Sequence, residues 1–253
     1  MKKVYIFWTG GWDSTYRMVE LSQMEETEVF PVYVMDTTRP SLEIEKETIQ
    51  KLWRKLDEDP RTVAKIHPVT WIREDQIPEC NDISEAYTRL QRENKFGSQY
   101  EYLAKVARLY PGIEVCITKI TNTPHGCSGL IYKYGKIIAK DDTYVVDPAC
   151  SNQDIILLFG NISFPLAGIS KQEMLQNIIQ RGYSDLMQGI HFCYLPRHNE
   201  PCGVCSPCIQ KMSGGLEFLI PKRGQFRYRV YTWRLAKASL LRRIVWRLTD
   251  KFI

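Results

Sequence analysis

Two adjacent glycines near the start of the chain belong to a motif that can bind a phosphate group. They belong to a stretch of seven residues, Thr9, Gly10, Gly11, Trp12, Asp13, Ser14 and Thr15. Glycine lets the backbone turn sharply and brings successive N–H groups close to an anion, because no Cβ stands in the way. This stretch, called the glycine loop below, is therefore a candidate phosphate-binding site.

The residues on either side predict how the glycine loop is held. An apolar run over residues 4–8 precedes it, and apolar residues at helical spacing follow it. The pattern predicts a strand, a tight turn and a helix beginning near Ser14 and Thr15, with the positive end of its dipole facing the anion. No lysine follows the glycines, so this is not a Walker A loop. An ordinary Gly-Gly turn with a helix cap is the alternative.

A second candidate group is Lys171, which stands at the start of another predicted helix. Ser170 and Glu173 form a capping-box pattern there, and Gly182 is expected to end the helix. A cation in the first turn opposes the helix dipole, which costs a few tenths of a kcal/mol or more. Lys171 is therefore either a solvated surface residue or a group that holds an anion together with the helix N-terminus.

Four cysteines within sixteen residues form a candidate metal site, namely Cys193, Cys202, Cys205 and Cys208. Two C-x-x-C turns that share one cysteine, with a fourth thiol close by, can close a tetrahedron around Zn²⁺. Four thiolates leave no open position, so the predicted ion is structural. A redox-active C-x-x-C pair and an iron–sulfur cluster are the alternatives. The four remaining cysteines are expected to be small core residues: Cys80, Cys116, Cys127 and Cys150.

The elements that position these groups alternate between strands and helices. Predicted strands cover residues 29–35, 66–71 (at a sheet edge, because of Pro68) and 113–118, and predicted helices cover 41–56, 98–110 and 170–181. Alternation of this kind favours an α/β fold with an open parallel sheet and helices on both faces. A hairpin about Tyr134-Gly135, near residues 130–147, is expected as an insertion.

Composition separates the chain into an acidic body and a basic tail. The chain has 253 residues, 44% hydrophobic and 25% charged, which is ordinary for a globular protein with a real core. From Lys222 onward it has ten Lys or Arg and one acid, Asp250, so residues 1–221 carry 24 basic and 28 acidic residues, a net charge of −4. We predict an α/β domain over residues 1–190, a zinc-binding segment with the four clustered cysteines over 191–221 and a helical extension over 222–253.

The sequence also bears on location and partners. No apolar run approaches the ~20 residues that span a bilayer, and no signal peptide is apparent, so a cytoplasmic location is expected. Within the tail, one helical face carries apolar residues, namely Leu241, Ile244, Val245, Leu248 and Phe252. Such a basic helix can dock on a protein partner or its own body, lie on an anionic membrane, or contact RNA. Homodimer formation stays open.

Three motifs in this order resemble one enzyme family. They are GG-x-D-S-T at the glycine loop, P-L-x-x-x-S-K-x-E around Lys171, and C-Y-x7-C-G-x-C-x-x-C at the cysteines. The first resembles the S-G-G-x-D-S signature of the PP-loop ATP pyrophosphatase superfamily, with Thr9 in its first position. Together, over residues 2–56 and 162–210, the motifs resemble the 7-cyano-7-deazaguanine synthase (QueC) family.

This resemblance implies an ATP-dependent C–N ligase with bound Mg²⁺ and a structural Zn²⁺. The implied substrate is a deazapurine, 7-carboxy-7-deazaguanine, whose activated carboxylate reacts with ammonia to an amide and then a nitrile. The implied phosphate and Mg²⁺ ligands are in the glycine loop: Thr9, Gly10, Gly11, Asp13, Ser14 and Thr15. Asp13, Ser14 and Lys171 are the implied catalytic residues, with Asp13 on the metal and Lys171 at the α-phosphate.

The nucleotide base has an implied position too. The adenine would lie along the main chain of Val34 and Met35, in keeping with ligands at the carboxyl edge of open sheets, and Arg39 would lie beside the nucleotide. Whether ADP, or AMP and pyrophosphate, would form stays open.

The middle of the chain departs from the family pattern. Ser98-Gln99 stands where the family has Arg-Asn, and the segment from Thr123 to Gly129 replaces its G-Y-P-D-C substrate loop. The basic tail is also outside the pattern. Three alternatives follow: a QueC-like anti-phage defence enzyme that joins a deazaguanine to a protein amine, a PP-loop tRNA-modifying enzyme, and a non-catalytic zinc-binding module.

Overall fold

The chain forms two compact units, one over residues 1–191 and one from residue 192 onward. The computed structural model describes residues 1–120 and 126–249, with no side chain described at residue 236 or from 238 onward. The strands are β1 (Lys2–Phe7), β2 (Thr27–Met35), β3 (Lys65–Ile66), β4 (Thr70–Arg73), β5 (Ile113–Glu114), β6 (Ile137–Lys140), β7 (Thr143–Val146) and β8 (Ile162–Ser163).

The helices are α1 (Trp12–Ser22), α2 (Leu42–Asp57), α3 (Asn81–Glu93), α4 (Gln99–Leu109), α5 (Gly126–Tyr134), α6 (Gln153–Phe159), α7 (Lys171–Gln180), α8 (Ser184–Gln188), α9 (Ser206–Ser213) and α10 (Lys222–Thr249). Short 3-10 turns cover Glu74–Gln76 and Glu217–Leu219. The first unit contains β1–β8 and α1–α8, and the second contains α9 and α10.

The first unit is built on one mostly parallel sheet. Its strand order is β3-β2-β1-β5-β8-β7-β6, and β4 also pairs with β2 beyond β3. Strands β1 to β5 and β8 pair in parallel, while β6 and β7 form an antiparallel hairpin at one edge. The predicted open α/β sheet is therefore confirmed.

Helices cover both faces of this sheet because its central strands are apolar on both sides. In β2, Val32, Tyr33 and Val34 are consecutive and all buried, which requires cover on both faces. Phe7, Val32 and Val34 pack with buried residues of α3, α4 and α6. The chain runs from β1 outward through β2 and returns to β5 on the other side of β1. The order of the sheet thus reverses next to β1.

Three predicted elements differ from the structure. The predicted strand over 66–71 is divided into β3 and β4, since Pro68 supplies no N–H for pairing. The predicted strand over 113–118 ends at Glu114. Residues 130–134, predicted as the first hairpin strand, belong to helix α5, and the hairpin turns instead at Asp141 and Asp142. Leu130 and Ile131 are both buried, so neighbouring residues face the core as on a helix rather than alternating.

The second unit joins the cysteine segment to the start of helix α10. The Arg227 guanidinium donates to the carbonyl oxygen of Cys202 at 2.7 Å. A Cβ on Gly203, whose φ is +82°, would overlap the carbonyl of Gly224 in the first turn of α10. The first turns of the tail, which the sequence predicted as a helical extension from residue 222, therefore pack on the cysteine segment. The predicted apolar face from Leu241 onward falls on side chains outside the described residues.

Among the residues that the structure describes, no helix combines the length and the hydrophobicity needed to cross a membrane.

Candidate functional site

The glycine loop connects the carboxyl end of β1 to the N-terminus of α1. Gly10 has φ +66°, a conformation that favours glycine, and Gly11 is the N-cap residue of α1. No side chain caps this helix. The first N–H groups of a helix have no intrahelical partner, so the loop presents donors and a positive dipole end at the edge of the sheet. This is the geometry of an anion-binding turn.

The two glycines have different roles, which can be tested without a ligand. A Cβ on Gly10 would lie 3.1 Å from Ile49 Cγ1 and would force the residue to keep a left-handed φ. At Gly11, with φ −83° and ψ 174°, any residue fits the backbone. We expect Gly10→Ala to lower the free energy of unfolding by about 1–2 kcal/mol. Gly11→Ala, the matched control, should change it by less; equal losses in urea unfolding would contradict this account.

The hydroxyl groups of the loop face different environments. Ser14 is buried, and its Oγ accepts a hydrogen bond from the Thr9 N–H at 3.3 Å, so it holds the turn in shape. Thr15 is fully buried, and its Oγ1 accepts from Trp8 Nε1 at 3.1 Å. Its N–H donates to the Gly11 carbonyl. In this structure Thr15 packs inside the first turn of α1, and its predicted role as a phosphate ligand stays a prediction.

Helix α7 places Lys171 next to the glycine loop. The capping box is confirmed: the Glu173 N–H donates to Ser170 Oγ, and the Ser170 N–H donates to Glu173 Oε2. Lys171 is the first residue of α7, and its Nζ lies 3.5 Å from Asp13 Oδ2. The pair joins the segment after β8 to the segment after β1, across the place where the strand order reverses. Ligands of open α/β sheets bind at such a crevice.

The second oxygen of Asp13 has the surroundings of a cation ligand. Asp13 Oδ1 is shielded from solvent and has no hydrogen-bond partner within the described part of the chain. A buried carboxylate oxygen without a donor is costly, so a partner is expected at this position. Mg²⁺ prefers carboxylate and phosphate oxygens. The residues present thus fit a metal-bound phosphate group: Asp13 for the ion, loop N–H groups and Lys171 for the anion.

A buried ion pair that the sequence did not reveal lies beside this site. Arg17 on α1 donates to both carboxylate oxygens of Glu114 on β5, at 2.9 and 2.7 Å. Burial opposes the charge of Arg17, but its hydrogen bonds to Glu114 and the negative charges of Glu114 and Glu20 together outweigh that effect and raise the Arg17 pKa. The pair fixes α1 against the strand on the far side of the crevice. Its members are 97 positions apart, so no local pattern could indicate it.

Cys116 follows β5 in the same region. Burial, and after it the charge of Glu114, raises the pKa of the Cys116 thiol well above its ordinary value. A thiol in these surroundings stays protonated and is a poor nucleophile. Cys116 itself is partly exposed, whereas Cys127 is buried, and burial raises the pKa of Cys127. Cys150, predicted as a core residue, is exposed.

The end of β2 supplies the position expected for a nucleotide base. Pairing of β1 with β2 ends at Phe7 and Val32, while β2 runs on to Met35 and pairs there with β4 on its other side. The β1-facing edge of Val34 and Met35 is thus outside the β1–β2 ladder.

Arg39 is held within the β2–α2 connection. Its guanidinium lies 3.8 Å from the Asp36 carboxylate and 3.5 Å from that of Glu45. Glu45 is buried and also accepts hydrogen bonds from Tyr33 Oη and Ser41 Oγ, each at 2.5 Å. These bonds order the connection.

The four predicted metal ligands come together in the second unit. The Sγ atoms of Cys193, Cys202, Cys205 and Cys208 all lie within 4.8 Å of one another. Cys193 and Cys205 are 3.8 Å apart, and Cys202 and Cys208 are 3.9 Å apart, far longer than a disulfide bond. Four sulfurs bound to one Zn²⁺ at about 2.3 Å would stand about 3.8 Å apart. This cluster could hold a metal ion.

Backbone groups around the cysteines favour thiolates. The Cys202 N–H points at Cys193 Sγ at 3.2 Å, and the N–H groups of Val204 and Cys205 point at Cys202 Sγ at 3.4 and 3.3 Å. N–H donors stabilise negative sulfur, which is the form that binds a metal. Hydrogen bonds among the thiols lower the pKa of Cys205 and raise the pKa of Cys193 and Cys208.

Comparisons with known proteins do not assign this chain to a family. No protein-family model matches the chain, and no curated protein matches it. Among solved structures, the chain is similar to "U34-tRNA thiolase NcsA from Methanococcus maripaludis with its [4Fe-4S] cluster". The identity is 14%, the match covers 93% of this chain and 73% of the other, and the TM-score is 0.41. At that level of similarity the match carries no argument about function.

Proposed function

We propose that this chain is an ATP-dependent ligase that activates the carboxylate of a 7-deazaguanine by adenylation and then forms a C–N bond. The observation that carries the proposal is the approach of Lys171 to Asp13 at the anion-binding turn. A cation, a carboxylate with a free oxygen and a helix N-terminus together suit a metal-bound polyphosphate. The motif resemblance to the QueC family supplies the substrate class.

The first step would join the substrate carboxylate to the α-phosphorus of ATP. A carboxylate oxygen attacks that phosphorus, the bond to the bridging oxygen breaks, and pyrophosphate leaves with the electron pair. Negative charge grows on the departing group, where the N–H groups of Gly11 and the first turn of α1 can stabilise it. Bound Mg²⁺ would supply further charge neutralisation on the phosphates.

The Asp13–Lys171 pair suggests how the site changes when ATP binds. In the described state the two side chains neutralise each other at 3.5 Å. With metal-bound phosphate present, Asp13 would turn to the ion and Lys171 would turn to the α-phosphate. Before ATP binds, the ion pair would thus keep both side chains at the site, with each charge neutralised by the other. Ser14 would hold the turn in shape, since its Oγ accepts from the Thr9 N–H.

The second step would pass the activated acyl group to an amine. The amine nitrogen attacks the acyl carbon, AMP leaves with the electron pair, and the nitrogen loses a proton to give an amide. A nitrile, as in the QueC family, requires a further dehydration of this amide driven by ATP. The adenine is proposed to lie on the main-chain edge of Val34 and Met35, near Arg39, which the Asp36 and Glu45 carboxylates order.

We further propose that the four cysteines hold a structural Zn²⁺. The sulfur separations of 3.8 and 3.9 Å support one shared ion. In a [4Fe–4S] cluster each thiolate binds a different iron, which spreads the sulfurs further apart. Four protein ligands would leave the ion no open position for catalysis.

The residues expected to contact the substrate differ from the QueC pattern, and this difference suggests a second function. Ser98-Gln99 begins α4, and the segment from Thr123 lies partly outside the described residues, joining α5 from Gly126 onward. Both differ from the QueC pattern, so the acceptor could be a protein amine, as in anti-phage defence conjugation, instead of ammonia.

Mass spectrometry of reaction products tests these proposals. The protein is incubated with 7-carboxy-7-deazaguanine, ATP, Mg²⁺ and ammonia, and substrate, amide and nitrile are measured together with AMP and ADP. Amide or nitrile with AMP supports the synthase proposal. AMP formation without a small-molecule product favours a protein acceptor, to be sought as a mass increase on protein. Absence of nucleotide cleavage in every mixture would contradict both.

A further inference from the structure

Helix α10 carries a surface that the ATP-dependent reaction does not use. The surface is a stripe of five exposed residues, Lys222, Phe226, Arg229, Trp233 and Lys237, called the basic–aromatic stripe below. They are spaced four, three, four and four residues apart, so they lie along one face of the helix. Phe226 is 67% exposed and Trp233 is 57% exposed. Large aromatic side chains at such exposure indicate a binding surface.

The charge of the helix indicates an anionic partner. Helix α10 contains nine Lys or Arg and no Asp or Glu over residues 222–249. No acid within the helix can therefore compensate its cations. Like charges at i,i+3 and i,i+4, such as Arg234 and Lys237, destabilise a helix by a few tenths of a kcal/mol each. A polyanion bound to this helix would reduce the repulsion among its cations.

The order of side chains along the stripe distinguishes between an anionic membrane and a nucleic acid as the partner. A helix that lies on an anionic membrane separates its cations from its apolar face. Here cations and aromatic rings alternate on the same face, and Lys237 Nζ lies 4.0 Å from the Trp233 ring centroid. Single-stranded nucleic acid offers both matching groups, because its bases stack on aromatic rings and its phosphates pair with cations.

We propose that the basic–aromatic stripe of α10 binds single-stranded nucleic acid without sequence preference. Phe226 and Trp233, about 10 Å apart along the helix axis, would serve as stacking platforms. Lys222, Arg229 and Lys237 would neutralise phosphates beside them. Arg227 is not part of the stripe, because its guanidinium is bonded to the Cys202 and Pro201 carbonyls and holds the helix to the cysteine segment.

The test measures binding of the full chain to fluorescein-labelled oligouridylate and oligothymidylate by anisotropy over a range of salt concentrations. Trp233→Ala should weaken binding about 5- to 150-fold, the loss expected for one stacked base. Arg229→Gln should lower the slope of log affinity against log salt by about 0.7, the value for one phosphate contact on a single strand. Circular dichroism and metal content verify that each variant is folded.

Two exposed aromatic residues outside the stripe serve as matched controls. Tyr231 lies on the opposite side of α10, and Phe218, 55% exposed, lies before the helix. Tyr231→Ala and Phe218→Ala should leave affinity unchanged. The proposal is overturned if the full chain binds neither oligonucleotide, or if the controls weaken binding as much as Trp233→Ala.

Other occupants of the stripe give different results. If Trp233→Ala releases the protein from phosphatidylserine vesicles but not from oligonucleotide, a membrane is the partner and the proposal is wrong. If the variant instead changes the oligomeric state in gel filtration, with oligonucleotide binding intact, the stripe is a protein interface. Lys171→Met should bind oligonucleotide like the unchanged chain, which separates this inference from the proposed reaction.

Discussion

Replacing Lys171 with methionine is expected to slow ATP cleavage by about 10²- to 10³-fold, the range for removing one preorganised group that stabilises transition-state charge. Methionine keeps the length and packing of the side chain but removes its charge. The neighbouring Gln172 is exposed in the same helical turn, so Gln172→Met is the matched control and should leave turnover unchanged. Pyrophosphate and AMP release measure the effect.

A variant of Asp13, the residue that pairs with Lys171, provides a second test of the same site. Asp13→Asn keeps the shape of the side chain but weakens its interaction with both Lys171 and Mg²⁺, so a loss of similar size and a higher Mg²⁺ requirement are expected. Because the two groups act on one polyphosphate, the double variant should lose much less than the sum of the two single losses. Undiminished turnover in both single variants, or strict additivity, would exclude the assigned roles.

Removing the proposed Zn²⁺ from the four cysteines is expected to unfold the segment from residue 192 to the start of α10. Zinc contributes about 10–16 kcal/mol in zinc-finger peptides, as much as the whole stability of a typical domain. The buried residues of this unit centre on three of the cysteines and Ile220, which is a small core. Strong chelators, or Cys202→Ser, should therefore expose the segment to proteolysis.

The exposed Cys150, outside the cluster, is the matched control: Cys150→Ser should retain the metal and the protease resistance. Elemental analysis decides the ion. One zinc per chain is expected, and iron with acid-labile sulfide in its place would refute the zinc proposal. A Cys202→Ser chain that keeps its metal and stays resistant to protease would show that the cluster does not support this unit.

The fold was predictable where local pattern decides the structure. Buried strands β1 and β2, the intervening helix α1 and the capping box before Lys171 all follow from periodicity, turn residues and caps within a few positions. Prediction was wrong over residues 130–134, where a short apolar stretch suits a strand or a helix equally. Leu130 and Ile131 are both buried in the core that also contains Ile155 and Leu158 of α6, which a helix permits and an alternating strand does not.

The sequence alone determined the chemical groups and their local arrangement: a glycine turn before a helix, a lysine in a capped first turn, and four closely spaced thiols. Only the tertiary structure decided which of them meet. Lys171 reaches Asp13 because the strands preceding their helices, β8 and β1, flank the same strand β5. Likewise Thr15 Oγ1 accepts a hydrogen bond from Trp8 Nε1, and Arg17 is bound to Glu114 across the crevice. Contacts between distant segments depend on strand order and helix packing, which no local spacing contains.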